Sequence, residues 1–185
     1  MSYNNLRKGR FSEPGREYLI TFVTQKREPV FHDFLAARIF VKELPCSEQQ
    51  HHCQWLAWVL MPDHFHGLLS LGEDGSDCRS GFSPTTEVTQ SNMAELNSAV
   101  GLKPDLQSEN TSLSKIIRTL KGRSAHHINQ TIQRKGSLWQ PGFHDHALRM
   151  EEDRVQVARY IVANPLRARL VKKIGQWPHW DSVWL

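Results

Sequence analysis

Apolar and polar residues alternate along some stretches of the chain and recur at helical spacing along others. Tyr18-Leu19-Ile20-Thr21-Phe22-Val23-Thr24 is rich in β-branched and aromatic residues and predicts a first strand. From Asp33 to about Leu44 the residues Phe34, Ala37, Phe40, Val41 and Leu44 follow helical spacing, with Pro45 expected just past the helix end. Gln54 to Met61 predicts a second strand. The tight connection Met61-Pro62-Asp63 joins it to a third, Phe65 to Leu71, as an antiparallel hairpin. From Gly72 to about Asn110 apolar residues thin out among Gly, Ser, Asp, Glu, Asn, Thr and Pro, which predicts a flexible insertion or linker. Thr111 or Ser112 can cap a helix whose stripe is Leu113, Ile116, Ile117, Leu120, Ile128 and Ile132, and Gly136 ends that stretch. Phe143 to Arg149 predicts a fourth strand. A last helix is expected from about Glu151 to Asn164, stopped by Pro165 because a residue before proline avoids the helical region. The order β-α-β-β-α-β-α predicts an α+β fold, a ferredoxin-like split βαβ unit with an antiparallel sheet and one extra C-terminal helix.

Composition narrows the function classes. A length of 185 residues suits one domain, and a formal charge of +4 suits a polyanionic partner. No stretch approaches the roughly 20 apolar residues of a membrane span. The N-terminal residues, with Arg7, Lys8 and Arg10, contain no apolar segment of a signal peptide, so a soluble cytoplasmic protein is expected. Cys46, Cys53 and Cys78 are odd in number and lack CxxC spacing. Cys46, His51, His52 and Cys53 do not follow structural-zinc spacing, so free thiols are expected.

The most informative chemistry lies in the third strand. His64 and His66 are one residue apart, so on a strand both imidazoles project from one face while Phe65 points the other way into a core. Two such imidazoles begin a divalent-metal site without completing it, and they equally suit a pair of partly buried histidines bonded to backbone or water. On the last helix, residues four apart share a face, which places Gln156, Tyr160 and Asn164 on one polar stripe. Tyr160 there is either an amphipathic residue at a packing boundary or a phenol set among metal-binding amides and phosphate-holding arginines.

Four blocks in order carry a family resemblance. They are the arm Gly9-Arg10-Phe11-Ser12-Glu13-Pro14-Gly15-Arg16, then Met61-Pro62-Asp63-His64-Phe65-His66, then Leu138-Trp139-Gln140-Pro141-Gly142-Phe143-His144-Asp145-His146-Ala147-Leu148-Arg149 with Lys121-Gly122-Arg123 before it, and finally Tyr160-Ile161-Val162-Ala163-Asn164-Pro165-Leu166-Arg167-Ala168. The chain resembles the REP-associated tyrosine transposases, a branch of the single-tyrosine HUH transposase superfamily, over nearly all its length except Gly72 to Asn110. The resemblance implies a metal-dependent enzyme that nicks and rejoins single-stranded DNA during transposition. Tyr160 would be the nucleophile and would form a 5′-phosphotyrosine intermediate. His64, His66 and a third ligand would hold Mg²⁺ or Mn²⁺, the latter better matched to nitrogen ligands. The third ligand falls at Asn164, where the family often has Gln, and Gln156 one turn earlier is the rival.

The resemblance also implies the partner, a single-stranded hairpin from repetitive extragenic palindromes. Arg10, Ser12, Pro14 and Arg16 would read its foot, Lys121, Arg123 and Arg167 would hold phosphates, and Trp139 or Phe143 would offer a stacking face. The metal is assigned to His64 and His66, leaving His144 and His146 structural or near DNA. The tryptophan-rich tail from Trp177 is expected to pack back on the domain. A monomer is expected, with a dimer as the alternative. The competing reading is a hairpin-binding protein or repressor that no longer cuts. A replication-initiator nickase is disfavoured by the short chain, and a zinc hydrolase by the lack of a Glu beside the histidines.

Overall fold

The computed structural model describes residues 12–72 and 112–185, so Arg10 and nearly all of the expected insertion lie outside the described residues. Strand β1 (Glu17–Val23) precedes helix α1 (Phe34–His51), the hairpin strands β2 (Cys53–Leu60) and β3 (His64–Leu71), helix α2 (Leu113–Thr131) and strand β4 (His144–Ala147). Helix α3 (Arg154–Val162), the single turn α4 (Asn164–Arg167) and strand β5 (Trp180–Ser182) complete it. The sheet order is β4-β1-β3-β2-β5, with every pairing antiparallel. This is the expected α+β, ferredoxin-like arrangement extended by an edge strand. Among the described residues no helix is long and apolar enough to cross a membrane.

Strand alternation gives the sheet two apolar faces, and each is covered. On one face Tyr18, Ile20 and Phe22 of β1 and Phe65 and Leu69 of β3 pack against α1 and α2 through Phe40, Leu44, Ile116, Ile117 and Leu120. At its centre the Phe22 and Phe65 rings stack 5.0 Å apart, while Trp139 meets Phe22 edge-on at 4.8 Å. Gly67 is needed there, because a Cβ would stand 2.7 Å from both the Phe65 and Trp55 rings. On the other face Leu56, Ala57, Val59 and Leu68 pack against Ala158 and Ile161 of α3, with Trp177 and Trp180 of the tail at the margin. The tail is tied down by backbone bonds from Leu60 to His179 and from Val183 to Leu56.

Three expectations are corrected. Helix α1 does not stop before Pro45; the proline lies inside it and the helix runs to His51. Pro45 is exposed, and the buried residues Leu44, Ser47 and His51 flank it on the core side. That burial outweighs one lost backbone bond. The last helix begins at Arg154 rather than Glu151, capped by the Asp153 carboxylate, which accepts from the Val155 and Gln156 amides. Pro165 does not end helical structure. It lies in the first turn of α4, where its missing N–H costs no internal bond. Strand β5 had no visible signal, since three residues cannot show an alternation.

Candidate metal and nucleophile site

His64 and His66 project from the face of β3 that α3 covers, because Leu68, two residues further on, packs against Ala158 and Ile161. Phe65 lies in the opposite core, as alternation requires. The two imidazole centroids are 4.7 Å apart, with their rings near perpendicular at 89°.

Each ring is fixed through the same nitrogen. His64 Nδ1 bonds Asp63 Oδ1 at 2.5 Å, and His66 Nδ1 bonds Thr21 Oγ1 at 2.8 Å from the facing position on β1. Nε2 of each ring is therefore the nitrogen open to a metal, the usual arrangement in which an outer partner sets tautomer and orientation. Asp63 is held in turn. Its Oδ2 accepts from Arg27 at 3.0 Å, and its carbonyl accepts from the Thr24 amide and hydroxyl at 2.9 Å. Burial would raise the Asp63 carboxyl, but the bonds from His64 and Arg27 prevail and hold it below its ordinary value. Burial, aided by the charges of His64 and Arg167, pushes the His66 imidazolium down to about 4, so this ring is neutral near pH 7. A neutral imidazole is the state a metal needs. No group of three His, Cys, Asp or Glu side chains stands together among the described residues. The two histidines fit a divalent ion only if amide, phosphate or water oxygens complete the shell.

Tyr160 lies on the same helix that covers this face. Its neighbours Ala158, Ile161 and Val162 are buried and anchor α3, while Tyr160 itself is 51% exposed. The chain breaks at Ala163 and restarts as α4, which brings Arg167 back so that its Cζ stands 4.3 Å from the Tyr160 ring centroid. The charge of the same guanidinium also disfavours protonation of His66. Asn164 turns its amide nitrogen onto the carbonyls of Tyr160 (3.1 Å) and Ile161 (2.9 Å), leaving Oδ1 as its ligand atom. Gln156 is exposed on the turn before Tyr160.

The expected DNA contacts divide sharply. Trp139 is 5% exposed within the aromatic core and donates to Ser124 Oγ, so it offers no stacking face; Phe143 is half-buried against the same core. Lys121 turns inward and donates to the carbonyls of Gln140 and Gly142, and burial pushes its ammonium down to about 8. Arg123 donates through Nε to the buried Glu43, which also accepts from His127 Nδ1. These two cations hold the fold together, which a charge pattern on a helix cannot reveal. Ser12 accepts from the Leu113 amide at the start of α2, while Gly15 and Arg16 pair with Leu71. Pro14 is exposed and Arg16 bonds Glu13. This arm therefore sits at the far end of β3 from His64, about 23 Å away at ~3.3 Å per residue. His144 and His146 lie on the same sheet face as His64 and His66, opposite Thr21 and Leu19; His146 bonds the Glu152 carboxylate. The residues overlooked in the sequence are Thr21 and Asp63. Alternation along β1 carried the signal for Thr21, and its place beside His64 carried it for Asp63.

No family model matches the chain. A REP-associated tyrosine transposase of Escherichia coli (strain K12) is 25% identical over 122 residues, 66% of this chain and 50% of that protein, so the match spans about half the length of the curated relative. A solved structure of the REP-associated tyrosine transposase bound to a REP hairpin superposes with a TM-score of 0.61 at 20% identity, covering 92% of this chain and 79% of that one. A putative transposase from Deinococcus radiodurans R1 gives a TM-score of 0.43 at 21% identity, over 84% and 95% of the two chains. Over 66% of its length the chain is thus similar in sequence to a REP-associated tyrosine transposase, and over 92% it shares the fold of the hairpin-bound one.

Proposed function

We propose that the protein is a metal-dependent enzyme that nicks and rejoins single-stranded DNA at REP-type hairpins, with Tyr160 as nucleophile. The observation that carries this reading is the pair His64 and His66, each fixed through Nδ1, on the sheet face covered by the helix of Tyr160. The phenolic oxygen of Tyr160 gives up its proton to solvent and attacks a scissile phosphate, and the bond to the 3′-oxygen breaks. The 5′-phosphate is left on Tyr160, and the departing oxygen takes up a proton to become a free 3′-hydroxyl. The phosphodiester linkage is conserved in this exchange, so a 3′-hydroxyl can reverse it and join a strand. His64 and His66, with Asn164 or Gln156, would hold Mg²⁺ or Mn²⁺, which when bound supplies Lewis-acid polarisation of a non-bridging phosphate oxygen. Arg167, whose Cζ lies 4.3 Å from the Tyr160 ring centroid, places positive charge beside the phenol, where the phosphate must come. The free thiols of Cys46 and Cys53 fit action in the reducing cytoplasm.

The test is cleavage of end-labelled REP-type hairpins with Mn²⁺, comparing wild type with His64→Ala, His66→Ala and Tyr160→Phe. Metal-dependent nicking lost in all three variants supports the enzyme. One observation favours a second reading, a hairpin-binding protein that does not cut: the Asn164 amide nitrogen is bonded back onto α3, and among the described residues no third acidic or imidazole ligand joins the histidines. Tight hairpin binding without nicking in any divalent metal would establish that reading instead.

A further inference from the structure

Beside the candidate site the surface opens into a groove lined by Gln25, Lys26, Gln140 and Pro141, with a volume of about 570 Å³. Backbone bonds from Gln25 to Leu138 and from Gln140 to Val23 extend the sheet past β1, with Thr24 facing Trp139. Because the Trp139 ring enters the core under α1 and α2, alternation puts Gln140 on the opposite face, the face of the histidines. Gln140 bonds Val23 and Val23 faces His64, so the groove begins two strand spacings, ~10 Å, from His64. An extended single strand crosses that distance within roughly two nucleotides.

Three features show a built surface. Gln25 Oε1 is buried without a hydrogen-bond partner among the described residues, and leaving a buried acceptor unpaired is costly. Lys26 and Arg27 both adopt left-handed backbone, at φ 54° and 55°, which non-glycine residues rarely do and which is costly for two in succession. Arg27, at the end of this strained turn, is the residue that bonds Asp63 and through it His64. The opposite wall is held from beneath by Lys121, which donates to the carbonyls of Gln140 and Gly142.

We infer that this groove binds the unpaired nucleotide next to the scissile phosphate and selects its base. Two amides, Gln25 and Gln140, suit the donor and acceptor pattern of a base edge. The terminal amide torsion is soft, so Gln25 can turn its unpaired oxygen to an incoming donor. Pro141 offers a flat apolar contact to the base, and Lys26 offers charge to its phosphate. The inference rests on the DNA-nicking reading of the neighbouring site.

The experiment is equilibrium binding, with Mn²⁺, of REP-type hairpins whose single-stranded flanks are varied base by base. Wild type is compared with Lys26→Ala and with the double variant Gln25→Leu/Gln140→Leu, each confirmed folded by thermal melting. Wild type should discriminate among bases at one flank position by roughly tenfold, and the double variant should compress that to within about twofold. Lys26→Ala should weaken all sequences evenly. A 5-iodouracil at the selected position should photocrosslink wild type within Gln25–Lys26 or Gln140–Pro141. Unchanged discrimination in the double variant, no flank preference in wild type, or a crosslink elsewhere overturns the inference. Amide-dependent base selection in a protein that never nicks would keep the groove and defeat the enzyme. Nicking with unaltered selection would do the reverse.

Discussion

At the scale of single residues, the candidate site rests on two outer partners as much as on the histidines. Asp63 and Thr21 each occupy an Nδ1, and without them the rings would be free to turn and to exchange tautomers. Asp63→Asn and Thr21→Val should each weaken Mn²⁺ binding by about 10–100-fold with the fold intact, measured by metal titration. Binding unchanged in both would remove the outer partners from the account. His66 makes a second prediction, and its sign follows from burial. Its folded value of about 4 lies below the ordinary histidine value, so between roughly 6.5 and 4 the unfolded chain takes up a proton that the folded one refuses. The contribution is present above pH 6.5 and is lost as the pH falls toward 4. In metal-free buffer the melting temperature of wild type should drop more steeply over that window than that of His66→Asn. The histidine pair and its shared face were legible in the sequence because alternation on a strand is rigid. The inward turn of Lys121 and the burial of Trp139 were not, because a cation or a tryptophan in sequence carries no sign of which side its neighbours will close.

At the scale of elements, the helices show where local signals mislead. A proline usually marks a helix end, yet Pro45 lies inside α1 and Pro165 opens α4. In α1, tertiary packing of Leu44, Ser47 and His51 overrides the local penalty. Replacing the exposed Pro45 with Ala restores a backbone bond and should raise stability by about 1 kcal/mol, less than the full proline penalty because the unfolded chain also gains freedom. Chemical denaturation measures this, and a loss of stability would mean the proline ring itself is packed. In α2, Arg123 and His127 converge on the buried carboxylate of Glu43 and couple this helix to α1. Arg123→Ala should cost about 1–2 kcal/mol, reduced from the 3–5 of a fully buried pair because the guanidinium is half exposed. Hairpin affinity and its salt dependence should stay unchanged. A flatter salt dependence with unaltered stability would return Arg123 to the DNA surface.

At the scale of the molecule, the sheet separates stability from chemistry. One face carries the aromatic core under α1 and α2, while the other carries the histidines, the Tyr160 helix and the tail. The βαββαβ order and the hairpin of β2 and β3 were readable from periodicity, whereas the sheet order is seen only in the fold. The edge strand β5 was not readable, because the three residues Trp180, Asp181 and Ser182 pair only when β2 is already in place. The N-terminal arm shows the same limit. The family resemblance implies a DNA reader there, but only the fold reveals that Ser12 and Arg16 sit at the end of β3 away from His64. Any hairpin foot held there would lie a strand length from His64. The central claim, that Tyr160 and the histidine pair form one site, is tested most directly by the residue that carries DNA after reaction. Wild type would be incubated with a REP-type hairpin and Mn²⁺, digested with protease and nuclease, and mapped by mass spectrometry. A 5′-phosphonucleotide on Tyr160, absent without metal and absent in His66→Ala, is the predicted result. A covalent nucleotide on any other residue, or the same adduct formed without metal or without His66, would contradict it.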